Sequence, residues 1–185
     1  MDRGQHLSAL VYLLPEEYTK TLKVLQDQCP PTSLKDIEAL FLKDAGYTLE
    51  SRFSFFDPTP VGVASLAQVH RAILRENGKE VAVKIQHPTL DDFTAIDIET
   101  TALTVRYVKK VFPDFEFAWL ADEMKLNLPK ELDFTHEARN AEKVRANFSG
   151  SRILKIPDVY EAKRRILIME CGLPEFLKHS LINRL

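Results

Sequence analysis

The sequence predicts an α+β fold: a small antiparallel sheet with several helices around one main core. Three observations predict it. Residues 69–74 and 81–85 are short strand-like runs flanking Glu76-Asn77-Gly78-Lys79, the pattern of a hairpin closed by a tight turn. Helically spaced apolar residues fill the segments on both sides of that hairpin. Two further short runs with strand character follow, at 156–161 and 165–170.

Taken in order, the first segment reads as a helix with Pro15 at its start and Tyr18, Leu22 and Leu25 along one face. Pro30-Pro31 ends it. Ser33 can cap a second helix that carries Leu34, Ile37, Leu40 and Phe41 on to a stop at Gly46. A strand then starts near Phe53, and Asp57-Pro58-Thr59-Pro60 interrupts it before the hairpin. Past Pro88, residues 90–111 return to helical spacing through Phe93, Leu103, Tyr107, Val108 and Val111. Helices over 119–128 and 129–148 are expected next, the latter with Pro129 at its first position and Glu131 and Asp133 near its positive end. Ser149-Gly150-Ser151 stops it. The organisation expected is a helical extension over 1–50, a lobe over 51–171 and a tail over 172–185.

A chain of 185 residues is long enough for one core with appendages. Its 25 Lys+Arg nearly balance 27 Asp+Glu, which gives no electrostatic reason to expect nucleic acid as a partner. Cys29 and Cys171 stand in no metal or redox spacing, so both read as thiols. No apolar run approaches the roughly 18 residues of a membrane span, and the first residues do not read as a targeting peptide.

Chemistry concentrates in three places. On a strand 81–85, Ala82 and Lys84 share one face while Val81, Val83 and Ile85 share the other. A lysine beside a small apolar neighbour can neutralise phosphate oxygens and leave room for a flat base, although a solvated edge-strand lysine has the same local sequence. Upstream, Gly62-Val63-Ala64-Ser65-Leu66-Ala67 follows a phosphate-covering G-x-G-x-x-G spacing with alanines at the second and third glycine positions. Each Cβ there disfavours positive φ, and a plain turn is the competing reading. In the expected helix 129–148, Asp133 and Glu137 lie four apart on one face, where Glu137 could reach Lys84 or simply face solvent.

The ordered combination resembles the UbiB/AarF-domain family of atypical kinases, of the AarF-domain-containing kinase 1 type. The resemblance runs from Gly4 to about Glu170. It is most specific in Pro60-Val61-Gly62-Val63-Ala64-Ser65-Leu66-Ala67-Gln68-Val69-His70, in Val81-Ala82-Val83-Lys84-Ile85-Gln86-His87-Pro88, and in Leu128-Pro129-Lys130-Glu131-Leu132-Asp133-Phe134 with Glu137, Asn140, Ala141, Glu142 and Lys143. It implies a kinase-like amino-terminal lobe that binds ATP. Its nucleotide loop would be Gly62 to Ala67, including Ala64 and Ser65, and its ATP-contacting lysine Lys84 beside Ala82, with Glu137 paired to that lysine. Met169 and Glu170 would be gatekeeper and hinge, and Glu131 and Asp133 its E-x-D pair. The resemblance further implies mitochondrial location and a role in lipid or coenzyme Q homeostasis, with a nucleotide and a protein or lipid as partners.

Two departures qualify it. The family's K-x-G-Q motif stands here as Asp2-Arg3-Gly4-Gln5, keeping Gly4 and Gln5 but not the lysine. After Cys171 the family pattern stops, and no catalytic-loop acid or D-F-G-like aspartate follows, so magnesium is expected only in a longer parent and no catalytic residue is assigned. A chain of this kind is expected to bind without turning over, or to act as a pseudokinase-like interaction module. Without a second lobe, Ile166, Ile168 and Met169, and the tail residues Leu173, Phe176, Leu177, Leu181 and Ile182, are expected to form an exposed apolar face.

Overall fold

A computed structural model of the chain describes residues 29–113, 119–151 and 153–171. The helix expected around 15–25, the Gly4 and Gln5 positions and the tail from 172 lie outside them. The described elements run α1 (Leu34–Asp44), α2 (Leu49–Arg52), β1 (Phe53–Phe56), β2 (Gly62–Val63), β3 (Ala67–Leu74), β4 (Glu80–Gln86), α3 (Leu90–Val111), α4 (Trp119–Glu131), α5 (Phe134–Asn147), β5 (Val159–Ala162) and β6 (Ile166–Glu170). The fold is α+β, as expected.

The strands form one antiparallel sheet in the order β1-β3-β4-β6-β5, with β2 pairing on β3. The hairpin is its spine, because β3 and β4 pair in an unbroken register from Ala67↔Gln86 to Ile73↔Glu80. Gly78 supplies the positive φ of +69° that the connecting turn needs. β4 lies between β3 and β6, so Lys84 is on an interior strand and not at an edge.

Ser33 caps α1 by accepting from the Asp36 amide, and Gly46, at φ +78°, closes its far end with a bond to the Phe41 carbonyl at 3.2 Å. Between those ends Ile37, Leu40 and Phe41 face one way and are buried against Val81, Val83, Ile85, Ile166 and Ile168. This helix therefore belongs to the same core as the sheet. Arg165 locks it there, donating from Nε and Nη2 to the two oxygens of Asp44 at 2.5 Å each.

The opposite sheet face is covered by α5, whose Phe134 and Ala138 pack with Ala67, Leu167 and Met169. The two faces thus have different roofs. The pair α3 and α4 stands mostly to the side, burying Ala102, Val105 and Leu128 but exposing Leu103, Tyr107, Trp119 and Leu126. No helix among the described residues is long and apolar enough to cross a membrane.

Three expectations need correction. The continuous helix over 129–148 is two helices, because Asp133 leaves helical geometry (φ −119°, ψ 97°) to accept from the Thr135 amide as the N-cap of α5. Pro129 accordingly sits in the last turn of α4, Glu131 ends α4, and Asp133 and Glu137 do not share a helix face. The first late strand is shorter than the 156–161 run, spanning Val159–Ala162. Finally, Ile166 and Ile168 are fully buried and Met169 is only 8% exposed, because α1 and α5 clasp β6 from both sides.

Candidate functional site

Cross-strand partners project to the same side of a sheet. The register pairs Lys84 with Val69 and Leu167, and Ala82 with Arg71 and Met169. Lys84, Ala82 and Met169 therefore share the face roofed by α5. Asp133, as N-cap, starts α5 so that Glu137 falls one turn in, on the side toward the sheet. There Lys84 Nζ donates to Glu137 Oε2 at 2.7 Å and lies 4.4 Å from the centroid of the Phe134 ring. The expected pairing is formed.

Lys84 is 4% exposed. Burial pushes its ammonium below the usual lysine value, and the Glu137 carboxylate opposes that shift by charge and by hydrogen bonding. The cation is held by one partly exposed acid, Glu137, and one aromatic face, Phe134, with no second carboxylate within ion-pair reach among the described residues. Such an arrangement leaves it able to take an anionic oxygen.

The loop between β2 and β3 sits at the edge of this face. Ala64 donates its amide to the Ala67 carbonyl at 2.8 Å, closing a four-residue turn over Ser65 and Leu66. Among the described residues only Gly46 and Gly78 have positive φ, so this turn needs no left-handed residue. The expected penalty of Cβ at Ala64 and Ala67 does not arise, and both alanines are buried. Gly62 pairs with Val69 in the β2–β3 ladder.

Thr32, Gln68, His70 and His87 form a polar network beside the loop, and Gln86 makes a separate polar contact; sequence reasoning assigned none of them a role. Gln68 and His70 are both fully buried. The His70 ring donates from Nδ1 to the Asp57 carbonyl at 2.8 Å, leaving Nε2 to accept from Gln68 Nε2 at 2.7 Å. Phe56 stacks on the same ring at 4.9 Å between centroids. Burial lowers the His70 pKa below its ordinary value, which suits a neutral ring. Gln86 donates from Nε2 to the Leu132 carbonyl at 3.2 Å, and its buried Oε1 has no hydrogen-bond partner among the described residues. His87 bridges Ala64 and Thr32. The available signal was positional: Gln68 and His70 alternate with Ala72 and Leu74 on a core-facing side of β3, where a polar residue must find a buried partner.

At the far end of β6, Met169 lies opposite Ala82 and Val159 and lines the α5 side of the sheet. Glu170 instead turns to Lys155, at 2.7 Å, and that bond lowers its carboxyl pKa. Glu131 and Asp133 flank Leu132, whose carbonyl holds Gln86. Among the described residues no group of three or more His, Cys, Asp or Glu side chains could hold a metal ion. A cavity of about 330 Å³ lies apart from Lys84, lined by Lys43, Asp44, Lys163, Arg164 and Arg165. The residues around Lys84 fit a phosphate-bearing group: a buried cation with a small neighbour at Ala82.

Residues 24–172 match the family model described as the ABC1 atypical kinase-like domain. AarF domain-containing protein kinase 1 of Gallus gallus is 50% identical over 169 residues, covering 90% of this chain and 32% of the relative. The ABC1 family protein MCP2 homolog of Schizosaccharomyces pombe is 49% identical over 168 residues, covering 90% of this chain and 30% of the relative. The chain thus spans about a third of the length of these curated relatives. Among solved structures, Rv3197 of Mycobacterium tuberculosis, determined as a complex with erythromycin, superposes with a TM-score of 0.68 at 30% identity, over 94% of this chain and 44% of the other. The chain belongs to the ABC1 atypical kinase-like family.

Proposed function

We propose that this chain is the ATP-binding lobe of an atypical kinase or ATPase, the expected lobe over 51–171 being joined in one core by α1. In this reading Lys84 neutralises phosphate oxygens and Glu137 orients Lys84. The loop from Gly62 through Ala64 and Ser65 to Ala67 covers the phosphates, and Ala82 and Met169 border the base, with Glu170 at the hinge. The observation that carries it is the buried Lys84, paired with the partly exposed Glu137 on a face lined by small and apolar residues. Burying an ammonium is costly, and a well-packed apolar residue often serves stability as well or better. A role in binding accounts for the charge.

ATP would bring the triphosphate, and magnesium the remaining counter-charge. The sequence holds no D-F-G-like aspartate or catalytic-loop acid after β6, so phosphoryl transfer is proposed to need residues beyond these 185. Gly4 and Gln5, with Glu131 and Asp133, are proposed as the family's paired motifs. From the resemblance to the UbiB/AarF-domain family we also infer a mitochondrial setting and a part in lipid or coenzyme Q homeostasis.

A second reading is a non-catalytic interaction module, favoured by the exposed Leu103, Tyr107, Trp119 and Leu126 on α3 and α4. Thermal unfolding with ATP separates the two. A ligand at a hundredfold excess over its dissociation constant stabilises by about 2.7 kcal/mol, or about 5–10 °C for a chain of this size. The ATP-binding reading predicts that shift for the full chain and its loss in Lys84→Met. A shift of zero, or one that survives Lys84→Met, would sink it.

A further inference from the structure

Thr32 lies ahead of α1 and outside the sheet, yet its polar groups bind the strands around the Ala64–Ala67 turn. Its amide donates to Gln68 Oε1 at 2.6 Å, and its carbonyl accepts from Gln68 Nε2 at 3.3 Å. Its hydroxyl meets His87 Nδ1 at 2.6 Å. The other ring nitrogen, Nε2, lies 2.9 Å from the Ala64 carbonyl, which can only accept. Nε2 therefore carries the proton, Nδ1 accepts, and the Thr32 hydroxyl donates. His87 also gives its own amide to the Leu66 carbonyl at 3.1 Å.

Two successive features of the turn are thus tied to one residue. Ala64 is held by the ring of His87 and Leu66 by its backbone, and the ring is fixed in turn by Thr32. One residue short of the turn, the Cys29 amide donates to the Val63 carbonyl at 3.1 Å, so the strand entering the turn is tied to the same segment. A histidine making one bond can swing about χ2. A histidine held at both nitrogens cannot do so without breaking one of the bonds.

We infer that Thr32 is a positioning residue for the Ala64–Ala67 turn, acting through His87, and that its hydroxyl thereby sets the affinity for ATP; the affinity half rests on the proposed nucleotide site. Thr32 acts on the turn through its bond to His87. The hydroxyl is the one group to remove, because the two backbone bonds to Gln68 persist in any substitution that keeps the chain path.

The test compares the full chain with Thr32→Val and Thr32→Ser, after checking by thermal unfolding that each is folded. Amide hydrogen exchange at Ala64 and His87, whose amides bond across the turn, is followed alongside the dissociation constant for a fluorescent ATP analogue. Thr32→Val should speed exchange at both amides about tenfold. It should weaken the analogue about five- to tenfold, the scale of one hydrogen bond lost. Thr32→Ser, which keeps the hydroxyl, should restore both readouts. Unchanged exchange in Thr32→Val, faster exchange with unchanged affinity, or failure of Thr32→Ser to restore either readout overturns the inference. Absence of binding by the unsubstituted chain contradicts the nucleotide-site reading instead, and the positioning role is then decided by the exchange rates alone.

Discussion

Lys84 and Glu137 are 53 positions apart in sequence, yet their charged atoms meet at 2.7 Å because β4 and α5 bring them to one sheet face. The two ends of the pair are unequal. The lysine side chain is 5% exposed and the glutamate side chain 35%, so water can hydrate the acid but not the base.

That inequality sets the first prediction. In Lys84→Met the buried charge is gone and Glu137 can be hydrated, so unfolding free energy should change by less than about 1 kcal/mol or rise. Chemical denaturation measures it. A loss of several kcal/mol would mean that Lys84 holds the fold together, and that its burial needs no binding role.

The opposite truncation should behave differently. Glu137→Ala removes the carboxylate from a lysine that stays buried, and the expected cost is about 2 kcal/mol, below the usual range for a fully buried pair because Glu137 is partly wet. Glu137→Gln should cost less, since the amide oxygen can still accept. Equal stability of all three proteins by denaturation would refute the claim that Lys84 depends on this acid.

His70 predicts the response to acid. Burial holds its pKa below 6.5, so as pH falls the unfolded chain takes up this proton before the folded one does. The contribution is intact above the ordinary histidine value, declines as pH drops below it, and stops declining once the folded group has titrated. Stability measured from pH 8 to 5 should fall, and His70→Phe should remove that part of the slope. The variant should also lose about 1–2 kcal/mol at pH 8, because Gln68 Nε2 keeps only its Thr32 acceptor and the Asp57 carbonyl loses the His70 donor. An identical slope in both proteins would assign the acid response elsewhere.

Asp44→Ala tests how α1 is fastened. The substitution takes both oxygens from the Arg165 guanidinium, whose side chain is 8% exposed. A loss of about 2–3 kcal/mol is expected, with faster amide exchange in α1. Protection of α1 that is unchanged would show that Ile37, Leu40 and Phe41 suffice to dock it.

Local pattern made part of this legible. The β3–β4 hairpin was readable because alternation and an Asn-Gly turn act within a few residues, and the same alternation put Lys84 beside Ala82. The cap at Ser33 and the stop at Gly46 were readable for the same reason. Asp133 was not, since an aspartate can sit in a first helical turn or end a helix and start another, and the choice depends on Leu132 being drawn into the core. The fate of β6 was hidden too. Nothing local tells that α1, more than a hundred residues upstream, covers Ile166 and Ile168. The network of Thr32, Gln68, His70 and His87 depends on partners 36 and 55 residues apart and emerges only from the assembled sheet.

An acyl-phosphate derivative of ATP tests the central claim most directly, because it carries a reactive carbonyl at the end of the triphosphate. A lysine amine held beside the phosphates attacks that carbon, forms an amide and releases ATP, and mass spectrometry then identifies the modified residue. The account predicts acylation at Lys84 that excess ATP suppresses, while exposed lysines such as Lys79 and Lys109 react slowly and are not protected. Labelling confined to surface lysines, or labelling of Lys84 that ATP does not compete away, would contradict the assignment of this face as the nucleotide site.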